Sequence, residues 1–176
     1  MNTVITILIV VAGIIVLLLI IALFMKKEHY VKREIIINAP LQKVFDYIKL
    51  LKNQDKFNKQ AMADPGRDKE FKGTDGTVGF IIAWNGDKSV GEGEKEIINI
   101  IEGKKFETEI RFVRPFKAVG RAIMETESLS NDKTKVYWSN AGTLNYPLNL
   151  LIPMMKKNVT KDMDISLSTL KNILEK

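Results

Sequence analysis

The chain has 176 residues, a net charge of +6 and no cysteine. That length fits one domain plus an additional segment. The absence of cysteine excludes a disulfide-stapled scaffold and leaves no thiol for a lipid anchor. The additional segment comes first, after a short tail at residues 1–3. Val4 to Met25 carries no charge, and Thr6 is its one polar side chain. About 20 apolar residues cross a hydrocarbon core of roughly 30 Å, so residues 4–25 are expected to form a transmembrane helix. A cleaved signal peptide has a basic start and a shorter apolar run, and this stretch has neither. Lys26, Lys27, Lys32 and Arg33 follow it and no Lys or Arg precedes it. The positive-inside rule then predicts a single-pass protein of the inner (cytoplasmic) membrane, N-terminus outside and domain in the cytoplasm. Residues 26–29 read as a basic tether and residues 30–176 as the domain. The basic excess suits an anionic leaflet. Scattered lysines without interleaved aromatics do not suit nucleic acid, so none is expected as a partner.

The domain opens with a β-branched run, "YVKREIIINAP", read as a strand. Pro40 suits the first position of a helix, and Leu41, Val44, Phe45, Ile48 and Leu51 follow at helical spacing. The stretch after it is less regular and stops at Asp64-Pro65-Gly66. From Asp68 to Leu144 the period becomes two. "KEFKG" reads as a short strand, and "TVGFIIAW" puts Val78, Phe80, Ile82 and Trp84 on one face. Asn85-Gly86 predicts a tight turn, with "SVGEGEKEIINII" returning. "KFETEIRFV" sets Phe106, Thr108, Ile110 and Phe112 together. "KAVGRAIMETE" aligns Ala118, Gly120, Ala122 and Met124, and "TKVYWSNAGTL" aligns Val136, Trp138 and Leu144. After Pro153, Met155, Val159, Met163, Leu167, Leu170 and Leu174 mark a long amphipathic helix. Strand, helices, about six antiparallel strands and a closing helix predict an α+β fold.

This order resembles the SRPBCC superfamily, the START-like helix-grip fold, in its polyketide cyclase/dehydrase and lipid-transport-like branch. The residues that carry the resemblance are "INAPLQKVFDYI", "DGTVGFIIAWNG", "VGEGEKEIINIIEG", "TKVYWSNAG" and "LSTLKNILEK". The resemblance spans about residues 30–176. It implies a curved antiparallel sheet wrapped around the long C-terminal helix. It also implies a cavity between them, usually for an apolar ligand. Fold alone does not settle function.

The motif "GEGEKE" lacks the third glycine and the following helix of a dinucleotide loop. Glu92, Glu94 and Glu96 alternate along a strand, so they share a face and do not converge on a metal ion. An outward face paired with Lys or Arg is expected, with the glycines at a bulge or bend. His29, the one histidine, reads as a juxtamembrane surface residue ahead of the first strand. Asp162 and Asp164 flank the buried stripe of the last helix and read as solvated. No catalytic, cofactor or metal constellation emerges. The expected ligand pocket is the inward set Phe80, Ile82, Trp84, Ile110, Phe112, Met124, Trp138, Met155, Val159 and Met163, with Thr108 and Asn140 as polar groups. "YPLNLLIPMM", with Leu150 and Leu151, is expected to touch lipid as a portal. The expected partners are the lipid bilayer and an apolar small molecule or lipid. The rival readings are a polyketide-cyclase-like enzyme on membrane-partitioned substrates and a ligand-free interaction or stress-response module.

Overall fold

A computed structural model describes residues 2–88 and 90–176. The apolar segment is one helix, α1 (Thr3–Phe24), started by the Asn2 side chain accepting from the Val4 amide at 3.3 Å. Its side chains are exposed along its length, and Ala22 is the buried one. It is long and apolar enough to cross a membrane. The first strand, β1 (Glu28–Ile37), follows after three residues, so Glu28 and His29 already belong to the sheet. Next come α2 (Leu41–Ile48), a 3-10 turn, and two single-turn helices, α3 (Gln54–Phe57) and α4 (Lys59–Met62). Pro40 sits one residue outside α2, with extended backbone, where its missing N–H is harmless.

Six more strands follow: β2 (Asp68–Lys72), β3 (Ile81–Asn85), β4 (Glu92–Ile101), β5 (Lys105–Arg114), β6 (Ala118–Ser130) and β7 (Lys133–Thr143). All neighbours are antiparallel, in the order β1-β7-β6-β5-β4-β3-β2. A second 3-10 turn (Leu148–Leu151) leads into α5 (Ile152–Leu174). The architecture is the helix-grip fold expected from the sequence. Two local expectations fail. The strand predicted from Thr77 begins only at Ile81, because Gly76 and Gly79 take positive φ and the chain turns there; Val78 is left exposed. The connection from β3 to β4 is longer than an Asn-Gly turn, with Asn85 pairing with Glu92.

The core sits between the concave sheet face and the helices. Ile37, Val44, Ile48, Leu51, Phe57, Ile97, Phe106, Met124, Val136, Leu167, Leu170 and Leu174 pack there. α5 also guards the open edge of β1. Arg33 pairs with Asp164 at 3.0 Å, Lys171 donates to the Ile36 carbonyl at 2.9 Å, and Glu175 accepts from the Asn38 amide at 2.6 Å. A covered edge cannot recruit a foreign strand.

The convex face carries the glutamates. Arg111 reaches Glu94 at 2.5 Å, Glu96 at 2.6 Å and Glu109 at 2.7 Å, while Arg114 takes Glu92 at 2.7 Å. The carboxylates of Glu96, Glu94 and Glu109 raise the Arg111 pKa above its ordinary value. The outward, paired reading of the comb therefore holds. Its glycines serve the bend. The register shifts between Glu92 and Gly93, and a Cβ on Gly93 would lie 2.6 Å from the Arg111 carbonyl oxygen and 2.9 Å from the Trp84 ring. Gly93→Ala is expected to lower stability by about 1–3 kcal/mol, read as a shifted urea midpoint with unchanged slope.

Candidate ligand-binding face

Side chains at paired positions share a face, so the register lays out the concave surface in rows. One row runs Phe71, Ile82, Lys95, Ile110, Gly120, Gly142 and His29, from one edge strand to the other. The next runs Lys69, Trp84, Gly93, Phe112 and Ala118. Both lie at the end of the sheet where β1 leaves α1, here called the near end. The far end is the dry one, with Phe106, Met124 and Val136 fully buried. The α5 stripe follows the same gradient. Met163, Leu167, Leu170 and Leu174 are buried, while Met155 and Val159 are only half-buried.

The ten residues expected to line a pocket all face the concave side or belong to the α5 stripe. Phe80, Ile82, Met124, Trp138 and Met163 are part of the packed core, and Val159 packs against it. Ile110 is buried. Trp84 and Phe112 meet edge to face, with centroids 6.0 Å apart, and are half-buried like Met155. Thr108 and Asn140 fall in one row through Ala122. The Thr108 hydroxyl is already used, donating to the Ala122 carbonyl at 3.3 Å.

None of these ten lines the large opening. A cavity of about 1030 Å³ wraps the near end of the sheet, with His29, Gly120 and Gly142 from the concave row, Tyr30, Arg121 and Ala141 from the opposite face, Lys26, Lys117 and Lys156 around it, and Asn145–Leu148 as one wall. His29 therefore does not sit outside the domain ahead of the first strand, as expected. It lies in β1, half-buried, packed over Gly142, where a Cβ would come within 2.6 Å of its Cε1. Burial, with the Lys156 charge adding, pulls its pKa below the ordinary histidine value, against contacts to Asn140 and Gly142.

The second correction is Lys95. The concave face was read as apolar, yet Lys95 points inward between Ile82 and Ile110. The signal was present: if Glu92, Glu94 and Glu96 face out, Gly93, Lys95 and Ile97 face in. The Lys95 ammonium donates to Gln54 Oε1 at 2.7 Å. Beside it, Asp55 is held by Lys69 at 2.7 Å and Arg67 at 3.4 Å. Gln54, Asp55 and Arg67 come from the irregular segment that carried no periodic signal. Burial, reinforced by the Arg67 charge and opposed by Asp55, pulls the Lys95 pKa from 10.5 to about 8.

Asn149 is fully buried and ties the 3-10 turn to α1. Its Nδ2 donates to the Ala22 carbonyl at 2.6 Å and the Met25 carbonyl at 3.1 Å. Those carbonyls are among the orphans of a helix C-terminus. Asp162 and Asp164 stay at the flanks of the stripe, and Asp164 pairs with Arg33.

No protein-family model matches the chain, and no curated protein matches it in sequence. Solved structures match in fold. A protein from Chromobacterium violaceum is similar at a TM-score of 0.60 and 14% identity, over 84% of this chain and 97% of that one. Norcoclaurine synthase from Thalictrum flavum, solved with dopamine and hydroxybenzaldehyde, is similar at 0.62 and 12%, over 88% and 90%. The Aha1 dimer from Colwellia psychrerythraea is similar at 0.58 and 15%, over 84% and 96%. At these identities the likeness is one of fold: the domain has the helix-grip architecture.

The Lys95 environment has a signature in pH. Its folded-state pKa lies below the unfolded value, so folding favours the neutral amine. The penalty is complete below about pH 8 and is relieved as pH rises toward 10.5. The thermal midpoint of the full chain in micelles is expected to gain over this interval relative to Lys95→Met, which lacks the titrating group. Parallel midpoint curves for the two proteins would contradict the buried ammonium.

Proposed function

We propose that the protein is a single-pass, membrane-anchored domain that binds a hydrophobic small molecule or lipid in its helix grip. In this reading α1 crosses the inner membrane, with the domain on the cytoplasmic side. The ligand enters at the near end of the sheet. The observation that carries the reading is the Asn149 tie. It joins the end of the apolar helix to the segment that walls the 1030 Å³ cavity. A cavity mouth fixed at a helix end that leaves the bilayer needs no aqueous path for its ligand.

Three further features support it. Leu151, Met154 and Tyr146 are exposed in the stretch next to the mouth. Lys26, Lys117 and Lys156 line the cavity and suit an anionic leaflet, each near-surface cation contributing about 1 kcal/mol. The fold commonly holds hydrophobic ligands, and one structural neighbour, norcoclaurine synthase, is solved with the small molecules dopamine and hydroxybenzaldehyde. The enzymatic alternative draws on the polar groups converging around Lys95. Against it, Asp55, the carboxylate there, is occupied by two cations. The ligand-free alternative is disfavoured by the open near end.

The test is native mass spectrometry of the full chain released from lipid nanodiscs, expected to carry a bound lipid or apolar molecule. A protein that is bare and also takes up no fluorescent lipid would overturn the reading. For the portal, Leu151→Ser with Met154→Ser spares the half-buried Leu150. Losing about 1 kcal/mol of interfacial burial per side chain, about 2 kcal/mol together, is expected to slow lipid uptake from liposomes roughly thirtyfold. Wild-type uptake by a folded double variant would exclude this entry route.

A further inference from the structure

The near end of the concave face carries more positive than negative charge, Lys69, Arg67 and Lys95 against Asp55. Lys69, Lys95 and Arg67 gather there beneath α3. Asp55, the carboxylate among them, already spends both oxygens, Oδ1 on Arg67 and Oδ2 on Lys69. Lys95 is left with the neutral Gln54 amide. The Arg67 side chain is only 8% exposed. Its Nη1 donates to the Gln60 and Ala61 carbonyls at 3.4 and 3.0 Å, but its Nε is buried without a partner. The Trp84 indole N–H, beside Lys69 in the register, is also buried and unpaired. An indole N–H only donates, and a guanidinium only donates. The cluster thus has spare donors and more positive than negative charge. Buried charges in proteins are paired. Water supplies a hydrogen bond here but no charge. An anion supplies both a charge and an acceptor.

The row through Lys95 says what else that anion is attached to. It passes from Lys95 over Ile110 to Gly120, a position without a side chain, and reaches the open cavity at Gly142, over which His29 packs. Four strand spacings at about 4.8 Å make a span of roughly 19 Å, the scale of a long acyl chain. We infer that Lys95, Arg67 and the Trp84 indole form the headgroup subsite of the grip. The subsite receives the carboxylate or phosphate of an amphiphile whose apolar chain lies along the glycine row toward the mouth. This inference rests on the apolar-ligand reading above and specifies the class of ligand.

The experiment uses the full chain in phosphatidylcholine nanodiscs, titrated with cis-parinaric acid and separately with its methyl ester. Polyene fluorescence is read against empty nanodiscs. The acid is expected to saturate at a concentration at least tenfold below the ester. Lys95→Met and, independently, Arg67→Gln are expected to bring the acid to the ester's level without weakening the ester. Equal binding of acid and ester by the wild type would overturn the anionic subsite and leave apolar binding standing. Binding of neither would overturn both. Inorganic phosphate is the third arm. It is expected to leave the acid's titration unmoved at millimolar concentration, and full competition would reassign the cluster to a free anion. A purely structural lysine predicts that Lys95→Met lowers the thermal midpoint. A headgroup lysine predicts a midpoint that holds or rises, because an apolar side chain replaces an uncompensated buried charge.

Discussion

A seven-stranded concave face is wider than one helix can cover. Strands about 4.8 Å apart make a surface of roughly 30 Å, against a helix diameter of about 10–12 Å. The chain meets this limit unevenly. α5 lies along the β1 edge, fastened by Arg33 with Asp164 and by Lys171 with the Ile36 carbonyl, and folds its stripe over the far end. α2 and the short α3–α4 segment close in from the other side, joined to α5 where Ser166 Oγ accepts from the Lys59 amide at 2.9 Å. The far end becomes a dry core. The near end is left to glycines, half-buried aromatics and a cavity. Both the closed and the open halves follow from the same shortage of cover.

The two faces of β4 treat charge in opposite ways. Outside, Arg111 gathers three glutamates in water, where such pairs contribute little each but keep the strand edges ordered. Inside, the half-buried Lys95 donates to a neutral amide. A domain selected only for stability would carry an apolar residue there, since its neighbours Ile82 and Ile110 are apolar and an uncompensated buried charge is costly.

Most of the fold was legible because the periods were clean. The α5 stripe, the alternation of Phe106, Thr108 and Ile110, and the outward glutamates each follow from one helix or strand period. The site was less legible for two physical reasons. A polar side chain on a concave face breaks no period, so Lys95 was hidden in plain alternation behind the glutamates beside it. Gln54, Asp55 and Arg67 reach the face from single-turn helices and a loop, where position comes from tertiary contacts and not from spacing. His29 was missed because β1 starts within the polar residues that follow α1, and only pairing with β7 reveals them as strand.

The apolar helix α1 and the grip are joined by very little chain, and that brevity has consequences. β1 begins three residues after α1 ends, and the Lys27 carbonyl already accepts from the Leu144 amide at 2.8 Å. A linker this short transmits orientation as well as position. Asn149 adds a second point of attachment from a segment more than a hundred residues away in sequence, capping carbonyls that the helix itself cannot satisfy. Two attachments at one helix end resist rotation about the helix axis, which one tether does not. The cavity mouth is then held at a fixed bearing to α1. In the proposed setting, a lipid-facing rim of Leu151 and Met154 meets the bilayer in one orientation only. The same contact couples the mouth to α1, because displacing the 3-10 turn breaks the hydrogen bonds that Asn149 makes to the end of that helix.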